Sequence, residues 1–73
     1  MKEIDLHGLE HNEVKNLLGN WLIIECNKGN MPLKLITGKS KRMKDVVTKI
    51  ANKFNFKVTE PLDGNAGVLV IRE

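Results

Sequence analysis

The sequence predicts a two-layer α/β sandwich, with two helices covering one face of a four-stranded mixed sheet in the order β-α-β-α-β-β. Three observations lead there. Apolar residues alternate in four short stretches and recur at three- and four-residue spacing in two longer ones. The 73 residues leave room for one domain, expected to span residues 1–73. With only two helices on offer, a single face of the sheet can be covered.

The first strand is read over Lys2 to Leu6, with Ile4 and Leu6 on one face and Glu3, Asp5 and His7 on the other. A turn at Gly8 follows. A helix is read from Glu10 to Cys26, its apolar stripe made by Val14, Leu17, Leu18, Trp21 and Leu22. Glu10 and Glu13 suit its positive end, and Asn27-Lys28-Gly29-Asn30 stops it. The second strand is read over Leu33 to Thr37, after Pro32. Thr37-Gly38-Lys39-Ser40 turns into the second helix, which runs from Ser40 or Lys41 to Phe54. Its core stripe is Met43, Val46, Val47, Ile50, Ala51 and Phe54. Phe56 to Glu60 and Gly67 to Arg72 read as two further strands, joined by the turn-forming segment Pro61 to Ala66. A strand-helix-strand start implies a right-handed crossover, so the first two strands are predicted to be parallel.

Composition excludes several classes. Trp21, Phe54 and Phe56 are the only aromatic residues, too few for a module that stacks bases on several rings. The longest apolar run, Trp21-Leu22-Ile23-Ile24, is far short of a membrane span, and the first residues carry no apolar signal-peptide core. A single cysteine, Cys26, rules out an internal disulfide framework and a cysteine-type zinc site, and fits a reduced, cytoplasmic setting. Trp21 and Cys26 are read as packed side chains. No spare apolar helix face is expected beyond the core, so a monomer is expected.

Charge is unevenly placed. Lys39, Lys41, Arg42, Lys44, Lys49, Lys53 and Lys57 stand against one acid, Asp45, while the rest of the chain holds five basic and eight acidic residues. Arg42, Lys49 and Lys53 fall on one flank of the second helix at about 100° per residue. Such a segment suits a phosphate-bearing partner, and it equally suits a solvated helix face.

Parallel strands bring two turns to one edge, outside the carboxyl ends of the strands, where ligands gather in open α/β sheets. On the first, Asp5 and His7 share a face; a carboxylate beside an imidazole orients it and favours its charged form, which suits acid-base chemistry. The same pair is half of a metal site, with no clear third ligand. On the second, Thr37, Gly38, Lys39 and Ser40 open a helix whose free N–H groups favour phosphate; the alternative is a plain turn with Ser40 as helix cap. The Gly38-Lys39-Ser40 string does not complete a P-loop, because Leu33 stands where the leading glycine is required.

Together the turns resemble a known family. Ile4-Asp5-Leu6-His7-Gly8 resembles the Leu-Asp-Leu-His-Gly signature of the Smr (small MutS-related) domain. Thr37-Gly38-Lys39-Ser40 resembles that family's second signature, a Thr/His-Gly-x-Gly turn before the second helix. Gly64 to Ile71 looks like its closing glycine-plus-strand segment. The resemblance covers nearly the whole chain. It implies a fold like the C-terminal domain of translation initiation factor three, and nuclease work on DNA or on messenger RNA at stalled ribosomes. It also implies Asp5 and His7 as catalytic residues and Thr37, Gly38 and Lys39 as the second motif. Ser40 departs from the family's glycine; serine there either weakens the site or caps the helix.

The expected function is therefore a cytoplasmic Smr-type endonuclease of low sequence specificity, RNA slightly preferred over DNA. His7 would act as acid or base, Asp5 would orient it, and Thr37, Gly38, Lys39 and Ser40 would hold the phosphate. Lys41, Arg42, Lys49 and Lys53 would follow the nucleic-acid backbone. No metal ligands are assigned, and magnesium stays open as a cofactor. The alternative is a non-catalytic module binding RNA, DNA or a ribosomal surface. An adaptor docking on protein is the third reading.

Overall fold

One sheet of four strands, ordered β1-β2-β4-β3, underlies two helices. The computed structural model describes every residue from Met1 to Glu73. The elements are β1 (Glu3–Asp5), α1 (His11–Asn27), β2 (Leu33–Ile36), α2 (Lys41–Lys53), β3 (Lys57–Thr59) and β4 (Val68–Arg72). β1 pairs with β2 in parallel, Ile4 opposite Leu35. β4 lies antiparallel to both β2 and β3, with Leu35 opposite Leu69 and Val58 opposite Ile71. The mixed two-layer α/β architecture is the predicted one, and each element falls within a residue or two of its expected ends.

The core is the layer between sheet and helices. Leu6, Leu33, Leu35, Leu69 and Ile71 rise from the sheet to meet Val14, Leu18 and Leu22 of α1 and Met43, Val46, Val47 and Ala51 of α2. Strand residues between them point the other way. Val68 and Val70 do so, yet they are almost fully buried. Val70 forms part of the floor of a shallow groove walled by Met1, Glu3, Lys34, Arg72 and the segment Glu60 to Asp63. The second face of the sheet is thus partly roofed by its own β3–β4 connection.

Helix ends follow local chemistry. Glu13 Oε1 accepts from the backbone N–H of Glu10 at 3.4 Å at the start of α1. The helix stops where Gly29 takes φ +76°, a conformation costly for other residues, with Gly29 N donating to the Cys26 carbonyl. Ser40 caps α2, its hydroxyl accepting from Met43 N at 3.1 Å.

Two stripe assignments need correction. Leu17 is 41% exposed and Phe54 38% exposed. The sheet covers only a narrow arc of α1, centred on Val14, Leu18 and Leu22, and Leu17 falls outside it. Phe54 follows the last turn of α2, and its ring lies against α1 at Gly19: a β-carbon there would stand 2.6 Å from two ring carbons. Trp21 and Cys26 pack against the core but remain half-buried. The expected absence of a spare apolar face also fails, since Leu17, Ile23 and Ile24 are all exposed on α1.

One buried charge was not anticipated. Glu25 is 5% exposed on the sheet-facing side of α1. It is satisfied by Lys2 Nζ at 2.6 Å and Asn30 Nδ2 at 3.4 Å.

Candidate catalytic and phosphate site

Parallel pairing of β1 with β2 puts the turns that follow them side by side. The Leu6 N–H donates to the Ile36 carbonyl at 2.8 Å, extending the ladder one residue beyond the strands. Leu6 is fully buried, so its neighbours Asp5 and His7 are turned outward. The turn closes as Leu9 N donates to the Leu6 carbonyl at 3.0 Å.

Asp5 Oδ1 makes two contacts with His7. It accepts from the His7 backbone N–H at 3.0 Å and lies 3.0 Å from Nδ1. The backbone hydrogen bond, followed by the side-chain one, holds the Asp5 carboxyl below its usual range, so it is ionised and acts as acceptor at neutral pH. An ionised acceptor at Nδ1 selects the imidazole tautomer protonated there and leaves Nε2 to exchange a proton. Both side chains are more than half exposed, so the pair faces incoming solute.

The second turn is built around Gly38, at φ +66°. A β-carbon at Gly38 would lie 3.5 Å from the His7 β-carbon, so the two turns touch. Thr37 is 2% exposed. Its hydroxyl donates to the Gly38 carbonyl at 2.8 Å, with the Gly67 carbonyl at 3.3 Å. The N–H groups of Thr37 and Gly38 both donate to the Gly67 carbonyl, at 2.9 and 3.1 Å. Thr37 and the Gly38 N–H therefore hold the turn in shape and are not free for a ligand. Met43 N is taken by Ser40, which leaves the N–H groups of Lys41 and Arg42 as the free donors of the first helical turn. Ser40 sits at φ −72°, ψ 112°, ordinary for serine. Serine therefore carries no backbone strain here, and it caps the helix.

The predicted cations divide. Lys39 lines a groove on the open side of the sheet with Gly38, Ile36, Val68, Asn65 and Gly67. Arg42 and Lys49 line a different groove between the helices, with Lys15 and Asp45. The two grooves share no residue. Lys53 belongs to neither and stands roughly 18 Å along α2 from Lys41. Lys41 and Arg42 are exposed beside Ser40.

Two participants were missed from sequence. Gly67 anchors the second turn through its carbonyl, and Lys44 Nζ donates to the Ala66 carbonyl, pinning the β3–β4 connection to α2. The Asp63-Gly64-Asn65 turn chemistry was visible: Asp63 Oδ1 accepts from Asn65 N, and Asn65 Oδ1 from Gly67 N. Nothing local showed that this loop reaches Thr37 and Gly38. As a metal site, Asp5 and His7 are joined by no third His, Cys, Asp or Glu.

No family model, no curated protein and no solved structure matches this chain. No helix is long and apolar enough to cross a membrane.

Proposed function

We propose that this chain is an endonuclease of the Smr type that cuts RNA at the edge where the Asp5–His7 turn meets the Gly38 turn. The observation that carries the reading is the doubly held Asp5–His7 pair beside the Gly38 turn that leads into α2. A phosphodiester placed there meets Lys39 and the free N–H groups of Lys41 and Arg42, which offset charge as it builds on the phosphoryl oxygens. His7 Nε2 takes the proton from the ribose 2′-OH, and Asp5 stabilises the imidazolium that results. The 2′-oxygen bonds to phosphorus as the bond to the 5′-oxygen breaks. That oxygen takes up a proton from solvent water as it leaves, giving a 2′,3′-cyclic phosphate and a 5′-OH end. Phosphate and charge contacts carry no sequence information, so weak specificity is expected.

A second reading is a non-catalytic nucleic-acid or ribosome binder. It is favoured by the separation of the Arg42–Lys49 groove from the Asp5–His7 pair.

The test is cleavage of end-labelled single-stranded RNA, structured RNA and supercoiled DNA, with magnesium and with EDTA, beside His7→Ala. Cutting of RNA in EDTA that leaves a 5′-OH and is lost in His7→Ala supports the reading. A 5′-phosphate end points instead to water as nucleophile on a metal. Binding without cutting in any lane replaces the nuclease by the binder.

A further inference from the structure

Helix α1 presents to solvent a face that is unusual for an exposed helix. Asn16, Leu17, Asn20, Ile23, Ile24 and Asn27 are all exposed, and none is charged. Leu17 is 41%, Ile23 40% and Ile24 48% exposed, and half-buried Trp21 borders them. Solvated helix faces normally carry charge, whereas depletion of charge around apolar side chains marks a surface that is covered. The other charged residues of this helix are directed elsewhere: Lys15 lines the groove toward α2, and Glu25 is buried against Lys2.

Charge returns only at the two ends of this face, with opposite signs. At about 100° per residue, Glu13, Leu17, Trp21, Ile24 and Lys28 fall within roughly 80° of one another on a single stripe. Glu13 lies at its start and Lys28 caps its end, and neither is in an ion pair. Reversed about its centre, the pattern sets positions 17 and 24 on each other, apolar on apolar, and 13 and 28 on each other, acid on base. If two α1 helices lie antiparallel with the twofold axis between Asn20 and Trp21, Leu17 faces Ile24 of the second copy. In that same register Glu13 faces Lys28, twice over by symmetry. A face complementary to itself under a twofold axis is what an isologous dimer requires.

We infer that α1 is a dimerisation face whose occupant is a second copy of this chain, docked antiparallel in this register. Neither Asp5, His7 nor Gly38 belongs to the stripe, so the inference stands independently of the proposed nuclease activity. One helix pair covers less than a standard interface of roughly 1,600 Å², so the affinity expected is micromolar or weaker.

Sedimentation equilibrium of the whole chain from roughly 10 µM to 1 mM brackets that range. The mass should climb from 8.3 kDa toward twice that value. Ile24→Asp should weaken association about tenfold or more by placing a charge in the apolar centre. Lys28→Glu, on an exposed cap outside the core, should weaken it about three- to tenfold, and Glu13→Lys in the same chain should restore it. Circular dichroism of each variant shows that it is folded. A chain that stays monomeric up to 1 mM overturns the inference. So does a dimer indifferent to Ile24→Asp, or one weakened by Lys28→Glu that the reversed pair does not rescue.

Discussion

Lys2 Nζ meets Glu25 Oε1 at 2.6 Å, and the carboxylate it meets is only 6% exposed. The pair ties the residue before β1 to the last turns of α1, two segments 23 positions apart in the chain. The Lys2 hydrogen bond, helped by Asn30, holds the Glu25 carboxyl below its ordinary value of 4.5. A carboxyl with a depressed value in the folded state contributes stability that is full above its ordinary value. That contribution is lost as pH falls through the depressed one. Thermal unfolding should therefore show a midpoint that falls as pH drops below about 4.5. Glu25→Gln should be less stable than the parent at pH 7, and the difference should shrink in acid.

The Asp5–His7 contact lies in the open, and the proposed function gives it a chemical role. His7→Ala should reduce RNA cleavage by about 10²–10⁴-fold while leaving the melting temperature unchanged. Asp5→Asn should give an intermediate loss, because the imidazole keeps a neighbour but loses the charge that selects its tautomer. Single-turnover cleavage rates across pH 5 to 9 check both.

Gly38 joins the two turns at a φ that residues with a β-carbon rarely adopt. At φ +66°, an alanine costs about 1–2 kcal/mol. Its added methyl would reach ordinary van der Waals contact with the His7 β-carbon, at 3.5 Å, so the cost is one of backbone conformation. Gly38→Ala should lower both stability and cleavage, measured by urea unfolding and by the same assay.

Ser40 separates a capping role from a phosphate-binding one. Ser40→Ala should destabilise the fold by about 1 kcal/mol through loss of the cap, and Ser40→Gly by only a few tenths. Cleavage should persist in Ser40→Gly, since the backbone there is already ordinary.

Leu17 and Leu18 are neighbours in sequence and opposites in the fold. Leu18 is fully buried and Leu17 is 41% exposed. Leu18→Ala should cost about 2–5 kcal/mol, and Leu17→Ala well under half of that. Urea unfolding of the two variants, at concentrations low enough to keep the chain monomeric, measures the width of the buried stripe.

Much of this molecule could be read from order and spacing alone. The six elements, the parallel start and the outward pairing of Asp5 with His7 all follow from periods of two and 3.6 and from turn chemistry at Gly29, Gly38 and Ser40. These are local properties, set by the conformations each residue tolerates and by which side of an element it occupies. The strand order, the use of Gly67 as the anchor of the second turn, the burial of Glu25 and the exposure of Leu17 and Phe54 are of another kind. Each depends on which segments meet across the sheet: β4 slots between β2 and β3, and α1 settles on a narrow arc around Leu18. Apolar periodicity specifies a helical face only to within a residue on either side. Long-range contacts, satisfied by groups 20 or more positions away such as Lys2 for Glu25, decide what that face finally buries.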